Sequence, residues 1–216
     1  MTFLKWGAVS ALALAAVNAH AQNITEPDDL VADEITVYGG ARDERGLLET
    51  PNAVTVVDQE QIRRRQASTY EELIGDIPGV SIEGGPRGIA QEPNIRGFQD
   101  EQVVIRIDGA RQNFNLAHRG RFFTDPDALK RVEVLRGGNS TLFGSGALGG
   151  VILLDTIDAE DILDPEDFFG GRIKGGYSTQ GDEFIGSGTL ALQHADFDAL
   201  GFFSYRPMND DVKDGN

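Results

Sequence analysis

The chain has 216 residues, with 19 Lys plus Arg against 35 Asp plus Glu and a formal net charge of −16. Its 40% hydrophobic content suits a packed core and is too high for a disordered chain, while the acidic balance argues against nucleic acid, whose phosphates need a basic face. With no cysteine there is no thiol nucleophile, disulfide framework or Cys-based zinc site, and the 15 Arg against 4 Lys favour the side chain suited to buried pairing with carboxylates.

The front of the chain reads as an address. Lys5 gives a positive start, Ala8 to Val17 is an apolar run broken only by Ser10, and Ala19-His20-Ala21 is a small-x-small cleavage pattern. This predicts a secretory signal peptide over 1–21, cut before Gln22. The run is too short to span a bilayer, which takes roughly 20 apolar residues. No later segment has the apolar length of a transmembrane helix, so any membrane role falls to β-strands. Residues 22–33 are polar and acidic and read as a mobile tail. At its end, Glu34-Ile35-Thr36-Val37-Tyr38-Gly39 is a short β-prone run. It is suited either to adding itself to another protein's sheet edge or to serving as an ordinary first strand.

Ala53 to Val57 reads as a strand. Asp58, with Gln61 three residues on, opens a short helix carrying Arg63, Arg64 and Arg65, a solvated face or one that meets acids on a partner. Ser68 with Glu71 repeats the cap, and that second helix, with Leu73 and Ile74 inward, should stop near Ile77 because Pro78 follows. Val80 to Glu83 is a strand and Gly84 to Glu92 a loop. Val103 to Ile107 is the clearest strand, closed by the turn dipeptide Asp108-Gly109. Asp125-Pro126 starts a brief helix, and Val132 to Leu135 and Val151 to Leu154 are strands around a glycine-rich stretch. The sum is a small α+β domain. After Asp167 the texture changes: Phe168 to Thr179, Glu183 to Gln193 and Phe197 to Tyr205 alternate at about ten residues per strand, the length that crosses an outer membrane when tilted. A soluble antiparallel meander has the same pattern, and either leaves an open edge.

Enzyme signatures are decoys. Gly144-x-Gly146-x-x-Gly149 matches the dinucleotide fingerprint, but the strand Val151 to Leu154 follows where a helix N-terminus is needed. His118 and His194 are far apart in sequence and form no zinc motif, and the acids Asp155, Asp158, Glu160 and Asp161 read as a solvated loop. Nothing argues for an enzyme.

Five pieces in order, Ile35 to Tyr38, Asn94-Ile95-Arg96-Gly97-Phe98, Val104 to Gly109, Arg131 to Gly137 and Leu142 to Val151, resemble the TonB box and plug domain of TonB-dependent outer-membrane receptors. The resemblance implies an α+β plug domain followed by the first antiparallel strands of a truncated transmembrane β-barrel. The boundaries would be 1–21 signal peptide, 22–48 tail with the TonB box at 34–39, 49–165 plug and 166–216 barrel start. It implies the outer membrane of a Gram-negative bacterium, lipid around the strands, and the TonB protein as the energy-transducing partner that pairs with Glu34, Ile35, Thr36, Val37, Tyr38 and Gly39.

Ile107 to Gln112, Ala117-His118, Phe123 to Pro126 and Asp155 to Ala159 are similar to the haem and haemoglobin receptor branch. There a plug histidine is an axial haem ligand, and His118 holds the matching place, with Arg119 and Arg121 placed to meet propionates. Haem would be a transported ligand, free or from a haem-carrying protein, with no prosthetic group. A ferric-siderophore receptor plug and a truncated, non-transporting periplasmic module that only binds TonB are the alternatives. A barrel of this family has about 22 strands, so the chain as supplied is expected not to transport. The dozen residues between Gln22 and Glu34 leave no room for a signalling domain before the box.

Overall fold

The computed structural model describes residues 36–37, 45–46, 53–84, 91–112, 124–178, 183–195 and 197–205. The expected signal peptide and residues 22–35 of the expected tail lie outside them. Strands β1 (Thr36–Val37) and β2 (Arg45–Gly46) pair antiparallel, Thr36 opposite Gly46 and Val37 opposite Arg45.

Strand β3 (Ala53–Asp58) runs into helix α1 (Gln59–Arg65). Asp58 is extended, and its carboxylate accepts from the Gln61 N–H at 2.8 Å, which satisfies one of the orphan donors of the first turn. Of the arginine run, Arg64 meets Glu60 at 2.5 Å, while Arg65 donates to the Leu73 carbonyl at 2.8 Å and to Asp76 at 2.6 Å. Helix α2 (Tyr70–Ile74) is capped one residue later than expected. Thr69 accepts from the Glu72 N–H at 3.3 Å, and the Glu72 carboxylate reaches back to the Ser68 N–H at 2.6 Å. Both Ser68-x-x-Glu71 and Thr69-x-x-Glu72 fit the capping pattern; the second is compatible with burying Tyr70, Leu73 and Ile74 together. The helix stops at Ile74, short of the expected Ile77, because Gly75 ends it and Ile77 is buried from the following loop.

Strands β4 (Val80–Glu83) and β5 (Glu92–Ile95) form a hairpin, so Glu92 belongs to a strand and not to the loop expected there. Strands β6 (Val103–Ile107), β7 (Ala110–Arg111), β8 (Leu129–Arg136) and β9 (Gly150–Thr156) join β3 in the order β3-β8-β9-β6-β7. Only β6 and β9 are parallel. Asp108 and Gly109 both take positive φ, 45° and 78°, as a two-residue hairpin turn demands. The Asp108 carboxylate then accepts from the Thr156 N–H and hydroxyl, 2.9 Å each, and ties that turn to the end of β9.

Both faces of this sheet are covered. On one, Val57, Val132, Val134, Ile152 and Leu154 pack with Ile62, Tyr70, Leu73 and Ile74 from α1 and α2. On the other, Val104, Leu135 and Val151 meet Ala147 and Phe143, the latter from the short helix α3 (Ser140–Phe143). Each fully buried Val, Leu or Ile side chain here contributes about 1.5–3 kcal/mol on burial. The glycine stretch serves this packing. Gly146 sits at φ 98°, and a Cβ there would strike the Glu101 carbonyl; one at Gly149 would strike Phe98. The fingerprint-like spacing thus records close backbone approach, and β9 follows it as expected.

Strands β10 (Phe169–Ser178), β11 (Glu183–His194) and β12 (Phe197–Tyr205) form an antiparallel sheet in chain order. Two residues join β11 to β12, the first being Ala195 at φ 51°. No described helix is long and apolar enough to cross a membrane.

Candidate functional site

The three-stranded sheet has two unlike faces. Registered partners share a face, so Phe169, Ile173 and Tyr177 of β10 lie with Phe184, Leu190 and Leu192 of β11 and Phe197, Phe203 and Tyr205 of β12. All are exposed, Ile173 at 91%. Glycines fit between them: Gly188 lies between Ile173 and Phe203, and Leu190 lies between Gly171 and Gly201. A broad apolar face of this kind needs a non-aqueous surrounding.

The opposite face carries Arg172, Lys174, Ser187, Thr189 and Ala191, and the five-stranded unit docks there. The contact is built on the turn Pro126–Ala128, whose start is capped by Asp125 accepting from the Asp127 N–H at 3.0 Å. Asp127 Oδ1 accepts from Lys174 Nζ at 2.6 Å, its Oδ2 accepts from the Ser187 hydroxyl at 2.8 Å, and its carbonyl accepts from Arg172 at 3.2 Å. Nearby, Ala159 and Leu163 of the connector pack on Ala191. The turn is fixed from behind as well. The Thr124 N–H donates to the Tyr70 hydroxyl at 3.1 Å, and the Tyr70 N–H donates to Gln91 Oε1 at 3.0 Å. Burial pushes the Tyr70 phenol above its ordinary value, against lowering by its hydrogen bonds to Thr124.

Two charge clusters lie in the five-stranded unit and the segment after it. Glu133, 1% exposed between Val56 and Leu153 of the neighbouring strands, is met by Arg131 at 2.8 Å. Asp155 lies opposite Arg131 on β9; burial first and the Glu133 charge second hold its carboxyl above the usual range, against the pull of Arg131. Burial alone would lower the Lys130 ammonium, but hydrogen bonds and charges from Asp158 and Asp161 outweigh it and push it up to about 12. Among the described residues no cluster of His, Asp and Glu is placed to hold a metal ion.

Of the residues singled out from the sequence, Thr36 and Val37 form β1, whose backbone is paired with β2. Glu34, Ile35, Tyr38, Gly39, His118, Arg119 and Arg121 lie outside the described residues. The stretch containing His118 leaves after Gln112, whose N–H donates to the Ile105 carbonyl at 2.9 Å, and returns at Thr124. Sequence reasoning missed Asp127, Lys174 and Ser187. The available signal was the alternation of β10, which puts Arg172 and Lys174 together on the face away from Phe169 and Ile173.

Residues 46–151 match the family model described as TonB-dependent Receptor Plug Domain. Over 179 residues the chain is 41% identical to a Heme/hemopexin utilization protein C of Haemophilus influenzae, covering 83% of this chain and 23% of that protein. It is 36% identical over 175 residues to a Hemin receptor of Yersinia enterocolitica, covering 81% of this chain and 25% of that one. Among solved structures it resembles the Serratia marcescens hemophore receptor HasR, in a complex with its hemophore HasA and heme. The TM-score is 0.63 at 32% identity, over 71% of this chain and 24% of that one. The chain therefore spans about a quarter of the length of the curated relatives it matches.

Proposed function

Residues 46–151 belong to the TonB-dependent receptor plug domain family, and from that premise we propose that the chain is the front part of an outer-membrane receptor for haem. The plug gates a barrel whose first strands are β10 to β12, and Glu34 to Gly39 couple it to TonB. The observation that carries the barrel reading is the two-faced sheet. Its outward side is apolar except for His194 at one end, as lipid requires, and its inward side is mixed, with Arg172, Lys174, Ser187 and Thr189 beside Ile185, Leu200 and Phe202, and holds Asp127 of the plug. The cargo reading rests on the 41% identity to a haem utilization protein.

In this reading energy enters mechanically. TonB adds a strand to the box by backbone pairing, and tension on the box rearranges the plug. Because β1 is already paired with β2, either that pairing opens or TonB takes the other edge of β1. His118 supplies a neutral imidazole to haem iron, and Arg119 and Arg121 meet the propionates.

The test uses the full-length protein in cells lacking other haem receptors. Growth on haem as sole iron source should require TonB and be lost on deleting residues 34–39. Purified receptor should shift the haem absorption band, and His118→Ala should abolish the shift. Growth on ferric siderophores with none on haem would overturn the cargo reading. Growth on haem unaffected by the deletion would overturn the coupling.

A further inference from the structure

The geometry points to Asp127 as a positioning residue that latches the plug to the first two wall strands and sets the resting position of the gate, an inference that rests on the plug-in-barrel reading above. The receptacle is preformed. Lys174 and Ser187 are directly opposed cross-strand partners, and Arg172 lies two residues along the same face of β10. Asp127 gives one carboxylate oxygen to each of the pair and its carbonyl to Arg172. The ion pair is nearly dry, with Lys174 19% and Asp127 13% exposed, so removing the carboxylate strands an ammonium in the seat.

The turn bearing Asp127 is also rigid on its far side. Pro126 is buried, Asp125 caps the turn, and Thr124 is bound to the Tyr70 hydroxyl inside the helical layer. Moving residues 124–128 away from the wall and moving the plug away from the wall are therefore one event. The apolar part of the seat is small: Leu163 and two alanines, Ala159 and Ala191, with Ile162 beside them. Polar contacts dominate the seat among the described residues. Water entering the wall can replace such contacts one by one, whereas a large apolar seat would resist until it broke whole.

The latch is tested in cells without TonB, so that no pull acts, by sensitivity to an antibiotic too large for the intact outer membrane. Folded barrel is scored by the gel mobility difference between heated and unheated samples. Full-length protein carrying Asp127→Ala should be at least fourfold more sensitive than the parent, Asp127→Asn less so, and Ser187→Ala, which keeps the ion pair, about twofold. Exchanging the charges, Asp127→Lys with Lys174→Asp, should return sensitivity toward the parent. Parental sensitivity in both Asp127→Asn and Ser187→Ala overturns the latch. So does loss of folded barrel in Asp127→Asn with Ser187→Ala at the parental level, which would make Asp127 a folding residue. Because TonB and haem play no part, failure here is separable from failure of the uptake reading, which the growth test decides.

Discussion

Strands β9 and β10 follow each other in the chain and bury opposite things. In β9 the run Val151 to Leu154 is covered on both faces, by helices on one side and by Phe143 and Ala147 on the other. In β10 the large side chains Phe169, Ile173 and Tyr177 are exposed, and Arg172 and Lys174 are the ones held inside. The β-strand period is the same in both. What differs is the surroundings: protein covers both faces in the first case, and in the proposed reading lipid covers the outer face in the second. An inside-out pattern is therefore evidence about the solvent, and it is read from which of two alternating sets the neighbouring unit touches.

The sharpest way to break this contrast is to remove one partner of a buried ion pair. Arg131→Ala removes the ion pair to Glu133, whose side chain is 1% exposed, and should cost about 3–5 kcal/mol, read as a lowered urea midpoint of the plug. Next in size, Ile173→Arg should cost about 2–4 kcal/mol for the full-length protein unfolded from lipid bilayers. Tolerance of that change would mean the outward face does not meet hydrocarbon.

A smaller effect is pH-dependent. The Asp155 carboxyl is held above its unfolded value, so the folded plug binds that proton more readily, and this group's contribution falls as pH rises through its folded pKa. Asp155→Asn should therefore stabilise the plug at neutral pH relative to the parent and lose that advantage in acid, as melting at several pH values would show. The smallest concerns the shifted cap. Thr69→Ala should cost about 1 kcal/mol, measured by thermal melts.

Legibility followed range. Val80–Glu83, Val103–Ile107 and Phe197–Tyr205 have the bounds expected from alternation and turn residues, because both signals are local. Strand β5 was hidden by its length and by Pro93, which argues against an ordinary strand interior. The seat was hidden by distance: Asp127 meets Lys174 47 residues on and Ser187 60 residues on, and no local pattern pairs an aspartate with either. Ser68 and Thr69 show the remaining limit, since two overlapping caps differ only in which residues they send inward. The plug resemblance was readable because its motifs are backbone demands, such as the approach of Gly149 to Phe98, that leave few residue choices.

Tyr70 gives the frame an unusual economy. Its N–H donates to Gln91 and its hydroxyl accepts from Thr124, residues 21 and 54 positions along the chain. One residue at a helix end thereby ties the start of β5 and the turn bearing Asp127 to the same point of the helical layer, so a change at Tyr70 loosens both together.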